Sequence, residues 1–215
     1  MLFHVLKHEL RLIFREPRFW IPFIIPPVIL AASQGIAVSR YGVAIMQGME
    51  GYMMLLLGCL MAPMAAPLAA DSFAGERERN SLELLQLSPV KPAQLFWGKL
   101  LAILPFSLAF AVLVQLVYWA CHPSITGASA AAAILGAVSA SLLVDSFSLL
   151  LSLKAKTVRS ATQSTLFLII PLLLLVQFGY EAFLSSLLAP VITLTLSIIV
   201  CVMSVAFAMR KFISL

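Results

Sequence analysis

Residues 100–120 read LLAILPFSLAFAVLVQLVYWA, a run of 21 positions without a charged side chain. The whole chain has the same character: of its 215 residues, 62% are hydrophobic and only 11% are charged. A soluble domain carries about 25% charged residues to cover its surface, so this chain cannot fold as a water-soluble globule. The apolar runs must therefore face lipid, and the sequence predicts a polytopic membrane protein.

A helix needs roughly 20 apolar residues to cross about 30 Å of hydrocarbon. The chain offers six such stretches, over residues 19–38, 52–70, 100–120, 129–153, 161–180 and 182–209. They do not alternate apolar with polar residues, which excludes a membrane β-barrel. We predict an all-α fold with six transmembrane helices in one domain, residues 1–215. Because the last stretch contains Pro190, a short surface helix over 182–189 is expected before its span.

Lysine and arginine mark the cytoplasmic side of a membrane protein. Of the 14 in this chain, only Arg40 falls in a segment that the six-span topology places outside. This sorting predicts cytoplasmic termini and a plasma-membrane location, which is the inner membrane in a Gram-negative bacterium. The basic residues do not gather on one soluble face, so binding to nucleic acid is not indicated.

Residues 1–18 precede the first span and predict an amphipathic helix lying in the membrane interface. Leu6, Leu10 and Ile13 fall at helical spacing, while Lys7 and Arg11 point elsewhere. The segment lacks the apolar core and small-residue cleavage site of a signal peptide.

Metal binding is not predicted anywhere in the chain. His4 and His8 are four residues apart, but nothing nearby supplies a third ligand. Cys59, Cys121 and Cys201 are scattered singly, which indicates neither a zinc site nor a disulfide framework.

The loop expected over residues 71–99 is the longest polar connection, and residues 75–90 within it read GERERNSLELLQLSPV. Asn80 is suited to cap a short helix over 81–88, with Glu83 completing a capping box. Such a helix is too short to be stable alone in water, so the membrane helices or another protein must hold it.

Residues 73–89, FAGERERNSLELLQLSP, resemble a segment of the type 2 family of ABC exporter permeases, which begins F-x-x-E-R-E-x-x-[ST]-L-E and closes with [ST]-P. One departure is Asn80, where many relatives have Gly or Lys. The resemblance implies a six-span subunit with a cytoplasmic coupling helix between spans two and three. It also implies an ABC ATP-binding partner subunit and a second permease, either another copy or a related chain.

Coupling to the ATP-binding subunit is accordingly predicted for residues 75–89. Leu82 and Leu85 would fill a pocket on the partner, and the neighbouring charges would fix the orientation through ion pairs. The predicted coupling residues are Glu76, Arg77, Glu78, Arg79, Ser81, Leu82, Glu83 and Leu85. The competing interpretation is a solvated charged loop with a short surface helix.

The chain contains no G-x-x-x-x-G-K-[ST] phosphate-binding loop. We therefore expect that it is not an enzyme and holds no cofactor, and that ATP and magnesium belong to the partner subunit. An intramembrane enzyme is disfavoured because Asp145 is the one acid well inside a span and no Ser-His or metal constellation accompanies it.

Polar or helix-breaking residues within the spans are the candidates for a translocation path. They are Asp145, Gln34, Pro63 and Pro67. Asp145 is equally suited to a packing role, paired with nearby serines such as Ser141, with Lys154 or Lys156, or with a neighbouring helix.

Two functions compete with ATP-driven export for the chain as a whole. The composition also suits a non-transporting membrane interaction protein or an ATP-independent channel. A haem-exporter-like permease of cytochrome maturation is a variant within the exporter class.

Overall fold

The computed structural model describes residues 49–81 and 91–213, together with single positions at 7, 11, 25, 28, 29, 33 and 36. Regular structure in this part of the chain is entirely helical. Apart from those single positions, the predicted interfacial helix and first span lie outside the described residues. The predicted coupling helix lies outside them from residue 82 onward.

Six helices follow one another in the described chain: α1 (Glu50–Glu78), α2 (Pro92–Cys121), α3 (Gly127–Lys154), α4 (Val158–Leu166), α5 (Ile169–Ser185) and α6 (Leu188–Ile213). They provide five apolar helices long enough to cross a membrane, since α4 and α5 together form one of them. These five coincide with the expected spans two to six.

The connection between the last two spans differs from the prediction. The helical piece expected over 182–189 is instead divided, because α5 runs on to Ser185 and α6 begins at Leu188. Pro190 lies in the first turn of α6, where its missing N–H would have no helical partner in any case. The proline is therefore accommodated by the start of the span and does not separate a surface helix from it.

Local sequence signals set several helix starts. Thr126 accepts a hydrogen bond from the Ser129 N–H at the start of α3. Thr157 does the same for Ser160 at the start of α4. At α2, Pro92 occupies the first turn directly after the extended residue Lys91. These are the residue types preferred at helix N-termini.

A buried amide and two glycines join the first three helices in the half of the bundle that contains the start of α1, the end of α2 and the start of α3. The Gln115 side chain of α2 donates to Met54 O of α1 at 3.1 Å and to Ala133 O of α3 at 2.9 Å. A Cβ at Gly58 would lie 2.2 Å from Gln115 Nε2, and one at Gly136 would lie 2.5 Å from Leu55 Cδ1. Small residues thus let the backbones approach.

Helix α1 changes its winding twice. It tightens to a 3-10 helix over Ala62–Ala65, which contains Pro63, and widens to a π-turn over Asp71–Gly75 before ending with Glu76–Glu78. Residues 71–78, expected at the start of the polar loop, are therefore helical. Residues 92–99 at its other end belong to α2.

Asn80 ends α1 and is not the N-cap of a following helix. Its φ of 54° lies in the left-handed region. The Asn80 N–H donates to Arg77 O at 3.1 Å, and the Ser81 N–H donates to Glu76 O at 2.9 Å. This pair of bonds is a Schellman motif, in which Gly or Asn is the preferred left-handed residue.

Candidate functional site

Charged side chains come together at the C-terminus of α1. They lie close to the N-termini of α2 and α4 and to the C-terminus of α3. We call this group the charged junction. It comprises Asp71, Glu76, Arg77, Glu78, Arg79 and Lys99. Each of the four consecutive residues 76–79 has its own partner in the described chain, and these partners lie on different helices.

Glu76 joins α1 to α2. Its Oε1 accepts a hydrogen bond from Lys99 Nζ at 2.8 Å, and the Lys99 side chain is only 1% exposed. Lys99 Nζ also donates to Ser72 O at 3.0 Å and lies 5.1 Å from the centre of the Phe73 ring. A buried ammonium group is costly unless it is paired and hydrogen-bonded, and these contacts meet that requirement.

Arg77 joins α1 to α3. Its guanidinium donates to Leu153 O at 3.0 Å and also to Ala155 O. The last carbonyls of a helix lack partners within the helix and carry its negative dipole end. Arg77 therefore satisfies and neutralises the C-terminus of α3.

Glu78 joins α1 to α4. Its Oε1 accepts a hydrogen bond from the Val158 N–H at 2.8 Å. Val158 is the first residue of α4, so this carboxylate meets an unpaired donor at the positive end of the helix dipole.

Arg79, which directly follows α1, pairs with Asp71 of that helix. Its Nη2 lies 2.7 Å from both carboxylate oxygens of Asp71. Gly75 leaves the necessary space, because a Cβ there would lie 2.1 Å from Asp71 Oδ1. The Arg79 side chain is 56% exposed, so this ion pair contributes little to stability by itself.

Ser152 of α3 inserts its hydroxyl into the π-turn of α1. Ser152 Oγ accepts hydrogen bonds from the Phe73 and Ala74 N–H groups, each at 3.0 Å, and donates to Ala70 O at 2.7 Å. A π-turn departs from the regular winding of an α-helix, and here a side chain of another helix inserts into it. The fully buried hydroxyl of Ser152 bonds to three backbone groups and so uses its whole bonding capacity.

Of the four predicted coupling residues that follow the junction, one lies in the described part of the chain and three do not. The Ser81 hydroxyl donates to Glu76 O at 3.1 Å, so Ser81 is attached to the junction. Leu82, Glu83 and Leu85 lie outside the described residues. The structure thus shows internal partners for residues 76–79, where the sequence predicted ion pairs with a partner subunit.

A match to a known family covers the sequence of the charged junction. The sequence model of the ABC-2 type transporter covers residues 2–182, which include the whole charged junction. The chain belongs to the ABC-2 type transporter family. The resemblance seen in residues 73–89 is thereby confirmed. ABC-2 membrane subunits are permeases that work with an ABC ATP-binding partner in a lipid bilayer, and they are generally non-catalytic. Among curated proteins, no sequence match was found.

Asp145 of this ABC-2 chain lies deep in the bundle, away from the junction. It is fully buried and accepts a hydrogen bond from the Ser107 hydroxyl of α2. Nearby Ser146 and Ser148 instead bond to carbonyls of their own helix, and Lys154 Nζ lies over the Phe207 ring. Asp145 therefore pairs with a neighbouring helix and links α3 to α2.

The remaining candidates for a path have unlike environments. Pro63 is buried in the 3-10 segment of α1, whereas Pro67 is exposed in the first turn of the α-helical segment after it. Gln34 lies outside the described residues. Within the described ranges, no three His, Cys, Asp or Glu residues are grouped so that they could hold a metal ion.

The roles of Lys99 and Ser152 were not predicted from the sequence. A serine or lysine near a span end carries no local signal of a partner on another helix. The positive charge of Lys99, the eighth residue of α2, was nevertheless a usable signal, because a lysine that is buried there requires an acidic side chain nearby.

Replacing Ser152 by Ala tests the role of this hydroxyl. We expect Ser152→Ala to lower the free energy of unfolding by about 1–3 kcal/mol, because two buried amides lose their acceptor. Hydrogen exchange of the Phe73 and Ala74 amides should accelerate. Ser148→Ala is the matched control, since that buried hydroxyl donates only to Val144 O of its own helix. Unchanged exchange at residues 73 and 74 would show that Ser152 does not stabilise the π-turn.

Proposed function

We propose that this chain is the transmembrane subunit of an ATP-driven ABC exporter and that residues 75–89 couple it to a separate ATP-binding subunit. Membership of the ABC-2 family and the absence of a phosphate-binding loop from the sequence support this assignment. Two permeases, identical or related, would enclose the path in the plasma membrane, with their termini in the cytoplasm. ATP and magnesium would bind to the partner subunit.

The distribution of contacts from residues 76–79 carries the proposal. A displacement of the leucine-rich segment 82–88 reaches the described chain at Ser81, which is bonded to Glu76 through both its N–H and its hydroxyl. From there, Glu76 contacts α2, Arg77 contacts α3 and Glu78 contacts α4. A force applied at one point is therefore delivered to the ends of several spans together.

Burial of the contacts to Lys99 and from Arg77 makes the linkage to α2 and α3 stiff. Lys99 and Ser152 are almost inaccessible to water, and Arg77 is half-buried. Partly desolvated, charge-assisted hydrogen bonds are stronger than exposed ones and hold a defined geometry. The internal partners of residues 76–79 thus suit transmission, and the leucines that follow them would supply the contact with the ATP-binding subunit.

The translocation path is proposed to involve the predicted spans one and two, including Gln34 of the first and Pro63 and Pro67 of α1. The changes of winding in α1 support this proposal, because they interrupt the helical ladder at two levels. Asp145 is proposed to contribute to the translocation path less directly, since its contact with Ser107 anchors α3 to α2.

Docking of the leucine-rich segment is tested by Leu85→Asp. In the complex with the ATP-binding subunit, we expect this variant to retain its folded helices but to lose transport per ATP hydrolysed, because a charge cannot enter an apolar pocket. Leu87→Asp is the matched control, since residues 85 and 87 point to opposite sides of a helix. Wild-type coupling in Leu85→Asp would contradict the docking role.

Transmission through the junction is tested separately by Arg77→Met. This change keeps an unbranched apolar stem and removes the guanidinium with its bonds to Leu153 O and Ala155 O. We expect transport per ATP to fall about fivefold or more, since allosteric coupling free energies are roughly 1–3 kcal/mol, while the ATP-binding subunit still co-purifies. Lys91→Met removes an exposed charge from the same polar segment and should have no effect. Equal coupling in the two variants would refute a role for Arg77.

A further inference from the structure

A cavity of about 280 Å³ lies between α1, α3, α5 and α6. Its walls include Leu55 and Cys59 of α1, Gly136 and Leu143 of α3, and Thr193 of α6. The volume is close to the lower end of the roughly 300–1,000 Å³ found for small-molecule sites. No charged side chain is among the described residues that line it.

The polar side chains on these walls are already bonded to the protein. Ser139 Oγ donates to Leu135 O at 2.8 Å, and Thr193 Oγ1 donates to Pro190 O at 2.9 Å. The Tyr180 hydroxyl donates to Glu181 Oε1 at 3.1 Å. A cavity whose walls offer few unused donors or acceptors does not retain water or a polar ligand. Its occupant must be apolar.

The position of the cavity indicates the source of that occupant. Leu55 and Thr193 lie near the starts of α1 and α6, whereas the charged residues 76–78 and Arg210 lie near the opposite ends of these helices. The cavity is therefore in the half of the bundle away from the charged junction. On one side it is bounded by α5, whose Leu174, Leu175 and Phe178 are exposed by 52%, 72% and 85%. In a membrane these side chains contact lipid, so hydrocarbon chains lie directly beside the cavity.

We propose that this cavity is a binding site for one acyl chain of a membrane lipid, held within a single permease chain. The apolar lining, the internally bonded polar groups and the lipid-facing wall all favour a hydrocarbon chain. Tyr180 also lines the cavity, and the centre of its ring lies 4.8 Å from that of the Tyr52 ring. The site does not depend on ATP coupling and stands or falls independently of the proposed function.

Gly179 provides a way to fill the cavity without a clash. It lines the cavity, and a Cβ added there would meet no atom within 4 Å. Gly179→Leu should therefore occupy the space of the acyl chain. The neighbouring Phe178→Leu is the matched control, because it alters a side chain that already faces lipid.

The test uses the full chain in vesicles of phosphatidylethanolamine and phosphatidylglycerol that contain a phosphatidylglycerol with a diazirine midway along one acyl chain. After irradiation, mass spectrometry locates the carbene adducts. Residues 136–143 of α3 face the cavity through Gly136, Ser139, Ala140 and Leu143, and of these Gly136 and Ala140 are fully buried from the surrounding bilayer. Lipid-facing residues such as Met203, 65% exposed, serve as the internal standard.

We expect adducts on residues 136–143 in the wild type and in Phe178→Leu, and their loss in Gly179→Leu, with the labelling of Met203 unchanged. Absence of adducts on 136–143 in the wild type would overturn the proposal, and so would equal labelling in Gly179→Leu. If Gly179→Leu does not fold, Thr193→Leu fills the cavity from the opposite wall and is judged by the same criteria.

Discussion

Polar groups inside this bundle depend on the protein for hydrogen-bond partners, because the surrounding hydrocarbon offers none. Three contacts show how the chain meets this constraint. Gln115 ties α2 to the backbones of α1 and α3, Ser107 donates to the buried Asp145, and Ser152 bonds to three backbone groups at the π-turn of α1. Each contact crosses between helices, so the same bonds that satisfy polar groups also fix the helix packing.

The charged side chains of the junction, at the edge of the membrane, likewise take their partners from the protein. Charges that look solvated in the sequence are used to cap helix ends and to neutralise a buried lysine. As a result, the end of α1 is bonded to α2, α3 and α4 together, an attachment that would suit the proposed transmission of a displacement. The exposed Asp71–Arg79 pair completes the arrangement but is the part most open to screening by salt.

The sequence predicted the parts of the fold that depend on local composition. Apolar runs located the expected spans two to six. It failed at the end of α1, because the charges of residues 76–79 indicated a loop, whereas their partners make a helix stable there. Those partners are remote: Arg77 bonds to Ala155 O, 78 residues away, and Glu78 bonds to the Val158 N–H, 80 residues away. A single sequence carries no local signal for such pairs.

The most direct test of the account is a double-mutant cycle between Glu76 and Lys99, measured as transport per ATP hydrolysed in the complex with the ATP-binding subunit. Glu76→Leu and Lys99→Met each break the same link between α1 and α2. If the charged junction transmits the displacement, the double variant will be no worse than the more impaired single variant, because both changes remove one interaction. Losses that multiply, or full coupling in both single variants, would contradict the account.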